Sequence, residues 1–192
     1  GIKKKYGLPD TFILYVGDVN WNKNIIGLLK AFSKLITKYP NLKLVLVGKS
    51  FLNTTLVETE EINQLIATLH LDPYIIKTGF VDNEQLTILY SLATALLLPS
   101  HYEGFGLPVL EAMACGCPVV VSDISSLTEI SGPSIRVLSK DIQSIASGIL
   151  SVLTMSKAKR NQVRDAGYTW ASQYTWEKVA KETVLSYKKA LQ

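Results

Sequence analysis

Apolar residues along this chain fall into two kinds of pattern that alternate. Short, almost wholly apolar runs at Phe12–Val16, 42–47, 75–78, Ala95–Leu98, 118–121 and 135–138 predict strands. Between them lie longer stretches whose apolar residues recur with a helical period. In 24–39, Ile25, Leu28, Leu29, Phe32, Leu35, Ile36 and Tyr39 share one face, which predicts a helix. A second helix carries Ile62, Leu65, Ile66 and Leu69, and others are expected at 84–92 and Leu107–Ala114. Three helices close the chain, with N-caps at Asp141, Ser156 and Thr175. Continuously apolar strands separated by helices argue for a parallel sheet covered on both faces. The expected class is α/β, a Rossmann-like doubly wound parallel sheet with helices on both faces. One domain spans 1–192, with a lead-in over 1–10 and a terminal helix in 174–192.

Bulk properties narrow the partners. The chain has 192 residues, 47% of them hydrophobic and 19% charged, the balance of an ordinary globular protein. A net charge of +4 is small, and the lysines are scattered apart from Lys3–Lys5, so no nucleic-acid-binding stripe is present. No apolar run approaches the length of a bilayer span, and no secretory leader is visible. Cys115 and Cys117 sit too close in sequence for an unstrained disulfide, and a Cys-x-Cys pair is a poor metal site. Two buried thiols in a cytoplasmic protein is the expectation. His70 and His101 are the only histidines, too few for a metal cluster. His101, next to the site, reads as a solvated loop residue with a ligand contact as the alternative, and the Asn53-Thr54-Thr55 sequon has no meaning without secretion.

Ligands of such sheets bind beyond the carboxyl ends of the strands, which directs attention to the loops after Val16, Val47, Thr78, Leu98 and Val121. The loop after Leu98 is the richest. Gly104 and Gly106 let the backbone turn sharply and approach a ligand, and a helix then starts at Leu107 with Pro108 in its first turn. Free N–H groups and the helix dipole favour a diphosphate there. Glu111, one turn further along, is placed to hold a ribose diol, and Glu103 to hold a sugar hydroxyl. The spacing is not a dinucleotide fingerprint, because Val109 stands where the third glycine belongs. Nor is Gly48-Lys49-Ser50 a phosphate-binding P-loop, because Lys43 stands where its first glycine would be. After Val16, Gly17 permits close approach and Lys23 supplies a point charge for a diphosphate. Gly79-Phe80-Val81 could present backbone groups to a base.

The stretch from Pro99 through Met113 (Pro-Ser-His-Tyr-Glu-Gly-Phe-Gly-Leu-Pro-Val-Leu-Glu-Ala-Met) resembles the signature of glycosyltransferase family 4. Its continuation from Ala114 through Ser122 is similar too, as are Leu14 through Gly17, Lys23-Asn24, Thr78 through Val81, Leu89-Tyr90 and the closing Thr175 through Ala180. The resemblance implies the GT-B architecture, two Rossmann-like halves facing across a cleft, and matches nearly this whole chain to the carboxyl-terminal donor-binding half. It implies a retaining, metal-independent transfer from a nucleotide-diphosphate sugar to a glycan or lipid-linked acceptor, which the amino-terminal half would hold. No cofactor beyond that donor substrate is implied. Glu103 would face the donor sugar. Phe105, Gly106 and Leu107 would offer backbone groups to sugar and phosphate. Glu111 would hold the ribose, Lys23 would neutralise the departing diphosphate, Gly17 would let it approach, and Val81 would sit near the base. Catalysis is expected of Glu103 and Lys23. Two departures stand out: Asp18 occupies a position where many members have arginine, and 132–140 fits loosely. A sugar-nucleotide epimerase of the same fold and a non-catalytic nucleotide-binding module remain open, although Glu103 speaks against the latter. The expected location is cytoplasmic, with membrane association of the full-length protein left open.

Overall fold

Six apolar runs become the strands β1 (Phe12–Val16), β2 (Lys43–Val47), β3 (Ile75–Gly79), β4 (Ala95–Leu98), β5 (Val119–Ser122) and β6 (Ile135–Val137) in the computed structural model, which describes residues 1–191. They pair in the order β3-β2-β1-β4-β5-β6, and every pairing is parallel. This is the doubly wound order, in which the chain starts in the middle, builds outward, then returns to build the other way. β1 and β4 are therefore neighbours, with Ile13 opposite Ala95 and Leu14 opposite Leu96. The loops leaving their carboxyl ends meet at the point where the winding reverses.

The helices are α1 (Ile2–Tyr6), α2 (Ile25–Ser33), α3 (Val57–Thr68), α4 (Asn83–Leu92), α5 (Leu107–Ala114), α6 (Leu127–Ile130), α7 (Ile142–Leu153), α8 (Lys157–Ala171) and α9 (Trp176–Ala190). α2 packs on α3 and α7, while α5 packs on α4 and α8, so two groups of helices clothe the sheet. The expected doubly wound α/β fold is what the chain adopts, and the strands β1, β4 and β5 are buried along almost their whole length. Local chemistry starts the last helices as expected. The side chains of Asp141, Ser156 and Thr175 accept from the N–H groups of Gln143, Lys159 and Lys178.

Two expectations need correcting. The helix expected over 24–39 stops at Ser33. Beyond it the N–H groups of Lys34, Leu35 and Lys38 reach back only three residues, to Ala31, Phe32 and Leu35, so the chain tightens into turns. The β-branched Ile36 and Thr37 favour helix weakly, and Pro40 disfavours a helical Tyr39. Leu35 still enters the core. The short helix α6 was also not expected, since four residues carry too little periodicity to reveal it. Gln192, the last residue of the expected 174–192 segment, lies outside the described residues.

Candidate active site

The loops after β1 and β4 are stitched together by hydrogen bonds. The His101 N–H donates to the Asn22 carbonyl at 2.7 Å, and the Asn22 amide donates to the Tyr102 carbonyl at 3.1 Å. Beneath them lies Asn24, buried and left-handed at φ 54°. Its amide nitrogen donates to the carbonyls of Pro99 (3.0 Å) and Ser139 (2.7 Å). Its oxygen caps α2 by accepting from Gly27 N–H at 3.1 Å. One side chain thus ties the exits of β1, β4 and β6 and satisfies all its own polar atoms, which is why a buried asparagine is tolerated here. The resemblance had included Asn24, but its work is visible only in three dimensions.

This frame brings Lys23 and Glu103 into contact. Glu103 is 6% exposed. Each of its carboxylate oxygens accepts from Lys23 Nζ at 2.9 Å, and one also accepts from the Ser100 hydroxyl at 2.7 Å. Without these donors a carboxylate so buried would be costly. Tyr15, fully buried below, donates to the Asp18 carbonyl at 3.2 Å. Its hydroxyl is held well above the usual tyrosine range, first by burial and then by the charges of Glu103 and Asp18. The Asp18 carboxylate itself accepts from Ser50 at 2.8 Å. At this departure from the resemblance, the chain has an acid anchored to the next loop.

Beyond Glu103 the chain makes its turn into α5. The loop after β5 holds that turn from behind. The hydroxyls of Ser125 and Ser126 donate to the Glu103 carbonyl at 3.2 and 3.0 Å, and Ser126 also donates to the Phe105 carbonyl at 3.1 Å. With these carbonyls occupied, the N–H groups of Gly104, Phe105, Gly106 and Leu107 find no acceptor among the described residues. Gly106 caps α5 and Leu107 opens it, so two of these free donors stand at a helix start, which suits a cradle for an anion, and two stand in the loop just before it.

The two glycines differ in their reasons. Gly106 has φ 94°, and a Cβ there would lie 2.7 Å from Leu127 Cδ2 and 3.2 Å from Ile130 Cδ1. The left-handed backbone demands glycine at 106, as the expected sharp turn implied, and the crowding that adds to it comes from α6 beneath the turn rather than from the ligand side. Gly104 has no left-handed φ, and its Cβ would point into open space.

Glu111 lies one turn into α5 and is exposed, with the Tyr90 hydroxyl donating to it at 2.9 Å. Burial, reinforced by Glu111, raises the Tyr90 hydroxyl far above its usual range, so it stays a donor. An apolar hollow of about 480 Å³ opens beside Glu111 between Phe105, Leu107 and the start of α9. Val81 lies in the loop after β3. Its side chain is 7% exposed and belongs to the core, whereas Phe80 beside it is 77% exposed. Gly17 packs close to Gly48 and donates its N–H to the Val47 carbonyl at 3.0 Å. His101 is half-buried with an enclosed Nδ1, not the solvated histidine expected. Cys117 is buried and Cys115 only half-buried, and both are free.

The glycosyl transferases group 1 family model matches residues 2–170. The chain belongs to this family. The O-antigen chain mannosyltransferase B of Escherichia coli is 34% identical over 189 residues, which make up 97% of this chain and 48% of that protein. The glycogen synthase of Mycobacterium tuberculosis is 30% identical over 178 residues, 91% of this chain and 42% of that protein. Among solved structures, a sucrose-phosphate synthase from Thermosynechococcus elongatus superposes with a TM-score of 0.85 at 27% identity, over 99% of this chain and 48% of that one. The Rossmann-like fold is thus shared with GT-B glycosyltransferases. This family member spans about half the length of the relatives it matches.

Proposed function

We propose that this chain is the donor-binding, carboxyl-terminal half of a retaining, family 4-type glycosyltransferase. It takes a hexose from a nucleotide-diphosphate sugar and passes it to a glycan or lipid-linked acceptor held by a facing half. The observation that carries this reading is the meeting of the buried Lys23–Glu103 pair with a turn offering four free N–H groups.

The roles follow from the chemistry of each group. The turn from Gly104 to Leu107 receives the diphosphate, because fixed donors and a helix start stabilise negative charge without reorganising. Lys23 leaves Glu103 for the phosphates as the donor enters, and it carries their growing charge as the sugar departs. Glu103, released from Lys23, accepts from a sugar hydroxyl while Ser100 keeps it oriented. Glu111, steered by Tyr90, takes the ribose. The Gly17 and Val81 backbones border the diphosphate and the base. With lysine and N–H groups supplying the charge, the departure of the diphosphate needs no metal. The names of the relatives favour transfer over epimerisation or nucleotide binding alone. No helix among the described residues is long and apolar enough to cross a membrane. The reading places the protein in the cytoplasm, where its acceptor could still be anchored to a membrane.

Titration calorimetry with UDP, GDP and ADP tests the assignment. One of them should bind, and intact donor should bind at least as well. The chain by itself should not transfer sugar, since bringing two substrates together accounts for about 7–11 kcal/mol of such barriers and half the cleft is missing. A chain that binds none of the three nucleotides would sink the donor-site reading.

A further inference from the structure

The loop after β1, the start of α2, the first turns of α3 and His101 line a second hollow of about 310 Å³. Its floor is apolar, made by the buried side chains of Val19, Ile25 and Ile62. Trp21 stands at the rim with its indole 78% exposed. Glu58 and Glu61 line it too, and neither enters an ion pair or side-chain hydrogen bond among the described residues. His101 closes the hollow on the side of the glycine turn. Its Nδ1 is enclosed without a partner. With Nδ1 shut away, Nε2 is the ring nitrogen left to meet a ligand hydroxyl.

We propose that this hollow binds one uncharged sugar ring of the acceptor. This rests on the transferase reading above and adds to it where the acceptor touches the donor half. A pyranose has an apolar C–H face and a rim of hydroxyls, and the hollow offers their complements. The indole and the aliphatic floor suit the C–H face. The two carboxylates accept from hydroxyls, and the histidine Nε2 meets one. Two unpaired carboxylates repel phosphate, so neither the donor diphosphate nor a sugar phosphate belongs here. A metal ion is also a poor occupant, because no group of three metal-binding side chains is assembled among the described residues. The volume is at the small end of ligand sites, which suits one ring. The position fits as well. His101 is hydrogen-bonded to Asn22 and is two residues from Glu103, so one wall of the hollow is the loop pair that presents Glu103 to the donor sugar.

The test is saturation-transfer NMR on the chain with methyl α-glycosides of mannose, glucose, galactose and rhamnose, beside calorimetry with nucleoside diphosphates. At least one glycoside should bind in the millimolar range, typical of a single small contact. Trp21→Ala, and separately the double change Glu58→Gln with Glu61→Gln, should weaken it by about fivefold or more. Affinity for the nucleoside diphosphate should stay within about twofold of the parent, because these residues lie outside the cradle. Absence of saturation transfer from all four glycosides overturns the proposal, as does glycoside binding unchanged in both variants. So does displacement of the glycoside by the nucleoside diphosphate. Nucleotide binding without glycoside binding would sink the hollow alone. Glycoside binding lost in the variants, with no nucleotide bound by the parent, would keep the hollow and sink the donor site.

Discussion

Replacing Lys23 by methionine keeps most of the apolar stem and removes the ammonium. The Glu103 carboxylate then stays behind at 7% side-chain exposure, having lost both 2.9 Å contacts and keeping only the Ser100 hydroxyl at 2.7 Å. Removing one partner of a fully buried pair costs about 3–5 kcal/mol. Lys23 is 21% exposed, so water reaches part of this site and screens the stranded charge. A loss of about 2–3 kcal/mol is therefore expected. In a chain of this size each kcal/mol lowers the melting midpoint by about 2–4 °C, so Lys23→Met should melt roughly 4–12 °C below the parent. Glu103→Gln is milder, because the freed ammonium can turn to water, and should cost about 1 kcal/mol. The double variant strands no charge and should recover about 1–2 kcal/mol relative to additivity. Calorimetric melting and urea unfolding of the four proteins measure this. Lys23→Met melting within about 1 °C of the parent would refute the reasoning, as would a double variant no better than additive.

Gly106→Ala should cost about 2–4 kcal/mol, from a left-handed backbone and crowding against Leu127, while Gly104→Ala should stay within about 0.5 kcal/mol of the parent. Equal urea midpoints for the two would show that the turn is misread. Glu111→Ala should weaken nucleoside diphosphate binding by about 1–3 kcal/mol, the range for hydrogen bonds to a charged group. It should leave a 2′,3′-dideoxy nucleotide unaffected, and calorimetry showing equal losses would remove Glu111 from the ribose. At high pH the folded chain keeps protons that the unfolded chain releases, since burial raises Tyr15 and Tyr90 above 10.0 and pushes Cys117 from 9.0 up to about 12. Stability should therefore be whole below about pH 9 and then fall, by up to about 1.4 kcal/mol per pH unit for each such group. Cys115, raised mainly by burial, adds to the fall, and Lys77, lowered mainly by burial, is one group of opposite slope against these four. Urea midpoints that hold steady from pH 8 to 10.5 would contradict this.

Much of the molecule was legible one residue after another. Strand runs such as Phe12–Val16 and Ala95–Leu98 are apolar because both their faces are covered, and that leaves a signal needing no knowledge of their neighbours. The caps at Asp141, Ser156 and Thr175 act within three residues, so they too are local. The glycine turn, the start of α5 and the spacing of Glu103 and Glu111 belong to one continuous stretch, and the resemblance could be carried by it. Folding alone decided what those residues touch. Lys23 and Glu103 are 80 residues apart, and nothing in either segment announces that they pair. Gly106 must be glycine for its left-handed φ, and Leu127 and Ile130, from a helix too short to be foreseen, crowd it further. The serines at 125 and 126 look like ordinary loop residues until they are seen occupying the carbonyls of the turn and leaving its N–H groups free. The motif does not say which of Phe80 and Val81 is buried, and core packing decides it by claiming Val81 and leaving Phe80 exposed. Periodicity and capping are energies of neighbours along the chain and so are written in order. Pairing, crowding and satisfaction of buried polar groups are energies between distant segments, and the parallel sheet sets them only when it brings β1, β4 and β5 side by side.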